Sequence, residues 1–385
     1  MLKASHFSAG FIAVLVGYTS SVAIVLQAAQ AVGANPAQQN SWLLVLGVGM
    51  GITSFGFSWW YKQPILTAWS TPGAALLASN SDEIGIAVAT GAFLFSSALI
   101  VLVGISGWFE RGMNKLPIAL GAAMLAGVLL PFGLNVFFSF EAQPLLIGLM
   151  LLVWLCGQVA WPRYNIPTVL LAGIFYCYFA DQLNLHNVEI SWTTPVWVEP
   201  RFEWSALLGV GLPLFVVTMA SQNLPGIATL RVSGYQPAVS PLISWTGIGS
   251  ALLSPFGGYA LNLAAITAAI CAGPEADEDE TQRYKSAMIA GALYVLMGLL
   301  GSTVVALFAA FPQELVLAIA GLALFGTIAN SLHMALDQSD TREAALVTFL
   351  VTFSGISPLG IGSAFWGLLA GGLLMQVSKS LTTTN

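Results

Sequence analysis

Charge is what this 385-residue chain has least of. Lysine, arginine, aspartate and glutamate make up 7% of it, where a soluble chain carries about 25%. Such scarcity excludes an ordinary water-soluble globule. The net charge of -6 is thinly spread, and the lack of any basic stripe excludes a nucleic-acid partner. Cysteine is also scarce: Cys156, Cys177 and Cys271 all fall inside apolar runs, so they read as small core residues without a disulfide or metal framework. There is no phosphate-binding Gly-Lys motif, no metal-binding histidine cluster and no nucleophile beside a base. ATP-driven pumping and membrane-bound catalysis therefore lack support, and neither a cofactor nor a metal is expected. No cleavable leader is read, because the first apolar run, Phe11 to Val32, is long enough to span by itself and has no obvious small-residue cleavage site.

What is present in abundance is hydrophobic sequence, 57% of the chain, which marks a polytopic membrane protein. Apolar runs cover 10–32, 41–61, 83–109, 116–138, 142–161, 165–181, 204–222, 237–254, 285–311, 313–336, 343–355 and 359–377. Two shorter stretches are ambiguous: PILTAWSTPGAALLAS at 64–79 and FGGYALNLAAITAAICAG at 256–273. Basic residues favour counting both as crossings, because short cytoplasmic loops are enriched in lysine and arginine. With the N-terminus inside and fourteen crossings, Lys3, Lys62, Arg111, Lys115, Arg163, Arg231, Arg283, Lys285, Arg342 and Lys379 all fall on the cytoplasmic side and only Arg201 outside. Omitting either ambiguous stretch scatters them. The expected fold is thus an all-α membrane protein of fourteen segments with both termini cytoplasmic.

Each ambiguous stretch reads as an extended arm followed by a half-helix. Pro64 to Ser70 in extended form covers roughly 23 Å, and a helix from Pro72 to Ser79 adds about 12 Å, together matching a hydrocarbon core of about 30 Å. Thr71 reads as the N-cap with Pro72 at the first helical position. In the second stretch Asn262 reads as the N-cap and Gly273-Pro274 as the stop. A shift of about 201 residues places VGANPA (32–37) on SGYQPA (233–238) and TSFGF (53–57) on SPFGG (254–258), which predicts a repeat. Seven crossings per unit is odd, so the two halves must be inverted, as in many secondary transporters. Both half-helix N-termini would then face the membrane centre, where their positive ends favour an anion.

Broken third and tenth segments in such a repeat resemble the fold shared by uracil permeases and sulfate-type anion transporters. More narrowly, GYTSSVAIVLQAAQAVGA (17–34), QPILTAWSTPGAALLA (63–78) and ASQNLPGIATLRVSGYQP (220–237) resemble the benzoate:proton symporter family of BenE-like membrane proteins. The resemblance implies a bacterial-type inner membrane protein that imports benzoate or a similar aromatic carboxylate with a proton by alternating access. It also implies a substrate-carrying core at 1–112 and 203–311, with a gate or scaffold at 113–202 and 312–385. Lipid and small carboxylate are the implied partners, and a homodimer is compatible with the fold. The same fold could carry a nucleobase or an inorganic anion; a channel or a membrane scaffold is the reading from a different class.

Site residues follow from position. Thr71, Gly73 and Ala74 would offer backbone N–H groups to a carboxylate, with Asn262, Leu263 and Ala264 doing so from the other side; the plain alternative is two ordinary helix starts. Tyr18 and Ser20 lie mid-span in the first run, with Gln222 and Asn223 in the equivalent region of the second half, either touching substrate or bridging helices. Tyr259 could meet an aromatic ligand or simply pack. Trp69, within the first arm, could stack on a benzoate ring, whereas the other tryptophans lie near interfaces. Uracil permeases carry glutamates in the eighth and tenth spans, and this chain has none there. The remaining candidates for proton coupling are His333 and Glu141, unless the proton travels on the neutral acid. The acidic stretch PEADEDETQRYKS (274–286) reads as a solvated cytoplasmic linker, and 181–203 as a structured outer cap.

Overall fold

A computed structural model describes residues 2–79, 84–109, 118–185, 188–361 and 363–382. Arg111, Lys115 and the expected domain boundary at 112 lie outside the described residues.

Two long helices open the chain. The first, α1 (Ala4–Ala31), has 28 residues and so extends about 42 Å at 1.5 Å per residue. The second, α2 (Pro36–Tyr61), is started by a reciprocal cap: Asn35 Oδ1 accepts from the Gln38 N–H at 3.0 Å, and Gln38 Oε1 accepts from the Asn35 N–H at 2.9 Å. A two-residue strand, β1 (Thr67–Ala68), and the short α3 (Thr71–Ser79) follow. Next come α4 (Ile86–Ile105), α5 (Ile118–Ala142), α6 (Pro144–Ala160) and α7 (Asn165–Phe179).

The second half opens with α8 (Trp204–Arg231). Two π turns interrupt it, Leu207–Gly211 and Thr218–Asn223. Each lies just ahead of a proline, Pro213 and Pro225, whose missing N–H prevents closure of the regular ladder. Then come α9 (Val239–Leu253), β2 (Asn262–Leu263) and the seven-residue α10 (Ile266–Ala272). After them, α11 (Tyr284–Leu299) and α12 (Gly301–Ala309) form one apolar pair bent by 65° at Leu300, so the run expected at 285–311 is not straight. The chain ends with α13 (Gln313–Leu336), α14 (Arg342–Phe353) and α15 (Ser363–Thr382).

Six of these helices are long and apolar enough to cross a membrane, or seven if the bent pair counts as one, and three shorter ones are also apolar. Their outward faces carry large apolar side chains such as Ile105, Phe138, Val159 and Phe179, the distribution expected of a surface in contact with lipid rather than water. Inside, α2 packs along α11, α4 along α9 and α5 along α13. Of the expected outer cap at 181–203, residues 188–203 form an extended strap. Its Val196 N–H donates to Ser41 Oγ (2.9 Å), Val198 N–H to the Pro255 carbonyl (2.7 Å) and Arg201 N–H to the Ala87 carbonyl (2.9 Å).

Candidate functional site

Extended backbone buried among helices must find hydrogen-bond partners outside itself. In the first arm, Thr67 N–H donates to Ser54 Oγ of α2 at 2.9 Å and Ser58 Oγ donates to the Ile65 carbonyl at 2.9 Å. The second arm is served in the same way from α9, where Ser250 Oγ accepts from Leu261 N–H at 2.8 Å. The remaining capacity is spent between the arms. Thr67 faces Leu263 and Ala68 faces Asn262 in an antiparallel pair, and Ala264 N–H donates to the Leu66 carbonyl at 2.9 Å. Two segments nearly two hundred residues apart are thereby joined at one place.

The helix starts differ from expectation. Ser70, not Thr71, caps α3: its Oγ accepts from Gly73 N–H at 3.0 Å and its carbonyl from Ala74 N–H at 2.8 Å. The Gly73 and Ala74 amides are therefore engaged. Thr71 is the first residue of the helix and half-buried. Asn262 is not a cap either. It lies in β2, four residues before α10 begins at Ile266, and its Nδ2 donates to its own neighbour's carbonyl, Ala260, at 3.1 Å. Leu263 N–H donates to Asn223 Oδ1 (2.9 Å), so the Leu263 and Ala264 amides are also taken and Asn223 acts as a bridge from α8. α10 starts later than the expected cap because Asn262 is taken up by the strand pairing with Ala68.

Both half-helices begin beside the middle of α1. Trp69 Nε1 donates to Ser21 Oγ at 2.8 Å, and Ser21 in turn donates to the Gly17 carbonyl at 2.7 Å. Tyr18 meets the Trp69 ring edge-on at 4.9 Å between centroids and stacks near Tyr294 of α11 at 6.1 Å. At Gly17 a side chain would come within 3.0 Å of the Tyr294 hydroxyl and 3.3 Å of Thr267 Cγ2, which places the first turn of α10 against the same point. Tyr18, Trp69 and Tyr294 are buried. The Tyr18 hydroxyl, Thr267 Oγ1 and Asn262 Oδ1 are buried without a hydrogen-bond partner. That is a concentration of unmet polar capacity beside an aromatic wall, and it carries no ionised group. Unlike α3, α10 has no side-chain cap, because alanine occupies its N-cap position.

Ser20 sits at the edge of this cluster, half-buried, its Oγ donating to the Gly17 carbonyl at 3.2 Å. Gln222 is half-buried on the second π turn of α8. Tyr259 belongs to a separate aromatic group with Trp42 (5.5 Å) and Phe93 (5.7 Å). His333, in the last turn of α13, and Glu141, at the end of α5, are exposed and are not brought to the cluster. Among the described residues no group of histidine, cysteine, aspartate and glutamate could hold a metal ion. Sequence reasoning missed Ser70 as the cap, Thr267 and Tyr294. Ser70 was within reach, standing one residue before the chosen cap, while nothing local to Tyr294 announces that α11 brings it against Tyr18.

Comparison with known proteins agrees with this architecture. The chain is 47% identical over 377 residues to the inner membrane protein YdcO of Escherichia coli (strain K12), covering 98% of this chain and 96% of that one. It is 37% identical over 363 residues to the benzoate membrane transport protein of Acinetobacter baylyi, covering 94% and 92%. Among solved structures it resembles SLC26A9 (TM-score 0.63, 12% identity, 97% of this chain and 65% of that one). It also resembles the transmembrane domain of the cyanobacterial bicarbonate transporter BicA (TM-score 0.58, 13% identity, 97% and 96%). These likenesses show a helical membrane-transporter fold, and the relative from Escherichia coli supports a multi-pass inner membrane protein. The profile of the benzoate membrane transport protein family matches residues 1–377, so the chain belongs to that family of membrane transporters and is not an enzyme.

Proposed function

We propose that this protein imports benzoate or a similar aromatic carboxylate together with a proton, by alternating access around the Tyr18–Trp69–Thr267 cluster. The observation that carries the reading is the meeting of two half-helix starts at an aromatic wall with unpartnered buried hydroxyls, in a chain whose family is one of benzoate transporters. The Trp69 and Tyr18 rings offer faces and edges to a planar substrate. Tyr18 and Thr267 offer hydroxyl donors, and Thr71 stands at the positive end of α3. Because Tyr18, Trp69 and Tyr294 are 4%, 3% and 2% exposed, a ligand reaches them only when neighbouring elements part.

Fourteen crossings in two inverted halves belong to the same proposal. In its support, β1 precedes α3 and β2 precedes α10 by the same offset. Pairing of α2 with α11 and of α9 with α4 is also what exchanging the halves would produce. The core and gate division is supported by α5 packing along α13, α6 along α7 and α14 along α15. A cytoplasmic N-terminus is supported by Lys3 contacting Asp277 and Lys62 lying 4.9 Å from the Tyr284 ring on one face, with Arg201 beside Ala87 at the other.

The deciding measurement is uptake of labelled benzoate by proteoliposomes under an imposed pH gradient. Accumulation that a protonophore abolishes is expected. Facilitated flux without accumulation would overturn symport in favour of a channel, and stronger competition by uracil or bicarbonate than by unlabelled benzoate would reassign the cargo.

A further inference from the structure

At the end of α2 a cleft of about 350 Å³ opens where three connections meet: the start of the first arm, the turn between α8 and α9, and the loop between α10 and α11. Tyr61, Lys62, Gln63, Tyr235, Gln236 and Glu280 are among its walls. Hydrogen bonds across it leave particular atoms over. Gln63 Nε2 donates to the Gln236 carbonyl at 3.1 Å, while Gln63 Oε1 is buried without a partner. The Tyr235 hydroxyl donates to the Glu280 backbone carbonyl at 2.9 Å, so that contact makes no use of the Glu280 carboxylate. The carboxylate is 64% exposed and pairs loosely with Arg283 at 3.7 Å.

Lys62 is held in a way that a lysine rarely is. It ends α2 at φ 55° and ψ 34°, a left-handed conformation that glycine or asparagine adopts more readily at a helix end. Among the described residues it forms no ion pair. Its ammonium instead lies 5.5 Å from the Trp59 ring and 4.9 Å from the Tyr284 ring. Before it, Ile52, Phe55 and Trp59 are exposed and spaced three and four residues apart, so they form one outward stripe of α2 that Lys62 continues. Because α2 is long and apolar enough to cross a membrane, the stripe faces hydrocarbon and the cleft sits at its polar edge. The exposed Trp60 stands at the same boundary, where tryptophan is enriched.

We infer that the cleft binds the head group of a phospholipid with a primary amine, that is, phosphatidylethanolamine. The phosphate sits on Lys62, the ammonium on Glu280 and Gln63 Oε1, and the acyl chains lie along Ile52, Phe55 and Trp59. Charge complementarity selects this head group. A phosphate needs a cation that no carboxylate already holds, and an ammonium needs acceptors with capacity to spare. Phosphatidylglycerol brings the phosphate but leaves Glu280 without a cation. Phosphatidylcholine brings both charges, yet its quaternary ammonium has no N–H for Gln63 Oε1. Free phosphoethanolamine matches the polar groups and leaves the apolar stripe bare. Once bound, the head group bridges the chain entering the first arm to the loop that leaves α10. The inference rests on α2 crossing the membrane and is independent of the cargo.

Native mass spectrometry of the detergent-purified protein, offered equal amounts of the three phospholipids with identical acyl chains, reads the preference. Adducts of phosphatidylethanolamine should exceed each of the others by about tenfold, the scale of one charge-assisted hydrogen bond. Lys62→Gly removes the ammonium while relaxing the left-handed backbone. Its lipid-free thermal midpoint should not fall, and its phosphatidylethanolamine adducts should drop about tenfold. Glu280→Gln keeps the backbone carbonyl that Tyr235 uses and should bring phosphatidylethanolamine and phosphatidylglycerol to equal occupancy. Equal adducts of all three lipids in the wild type overturn the site, and so does a preference that survives in both variants. The wild-type comparison decides even where a variant fails to fold. If free phosphoethanolamine displaces the lipid at equal concentration, the occupant is a soluble phosphate ester and the lipid assignment fails.

Discussion

A buried tyrosine hydroxyl without a protein partner is either waiting for a ligand or a cost the ring tolerates, and Tyr18 separates the two. Its ring is fixed against Trp69 and Tyr294 whatever the hydroxyl does. Tyr18→Phe therefore keeps the packing and should leave the thermal midpoint unchanged or slightly raised, because removing an unsatisfied buried polar group costs nothing. If the hydroxyl donates to the carboxylate, KM for benzoate rises about tenfold, or about 1.4 kcal/mol. An unchanged KM would assign Tyr18 to packing. At this scale the sequence was readable where a residue type had one role to play: Trp69 in a broken segment and Tyr18 mid-helix both lie in the cluster. It was not readable where two neighbours could serve, as with Ser70 and Thr71. Nor was it readable where the third dimension chose, as with Tyr294, or with Asn223, which spends its carbonyl oxygen on Leu263.

At the scale of elements, the arms depend on hydroxyls from the helix that precedes each one. Ser54 and Ser250 are buried and each takes one arm N–H. With no water at that depth to substitute, Ser250→Ala leaves Leu261 N–H without a partner and should cost about 1–3 kcal/mol. The variant should show a lower midpoint in detergent, and uptake should fall because the β1–β2 pairing loosens. A midpoint within error of the wild type would mean that another acceptor takes over. The breaks themselves were legible, since a Ser-Thr-Pro-Gly run inside apolar sequence cannot continue a helix smoothly. The start of the second half-helix was not. Ala265 and Ile266 carry no capping signal, and the nearest polar residue before them, Asn262, drew the cap three residues too early. The π turns of α8, by contrast, follow from Pro213 and Pro225 and were within reach of the sequence.

Across the whole molecule, the proposed topology would gather the lysines and arginines on one face, and that sidedness can be measured. Cysteines introduced at Lys3 and Glu280 in a background without native cysteine should react with a membrane-impermeant maleimide from the same side, and one at Glu199 from the opposite side. Labelling of all three from one side would remove the fourteen-crossing topology. The same face holds an acid-sensitive contact: just beyond α10, Asp277 accepts from Lys3 and lies against His6 at the start of α1, and the hydrogen bond from Lys3 holds its carboxyl low. Since the folded carboxyl of Asp277 titrates near 2, below its ordinary value of 3.8, the native state holds fewer protons there than the unfolded chain. The contact therefore stabilises fully above about pH 4 and fades as the pH falls towards 2. Asp277→Asn removes that carboxylate and turns an NH2 group towards Lys3 or His6. Its thermal midpoint should lie below that of the wild type at pH 5 to 7, and the two curves should converge between pH 4 and 2. A gap that stays constant to pH 2 would mean that the lost packing of the loop, and not the ionised carboxylate, ties the start of α1 to the end of α10.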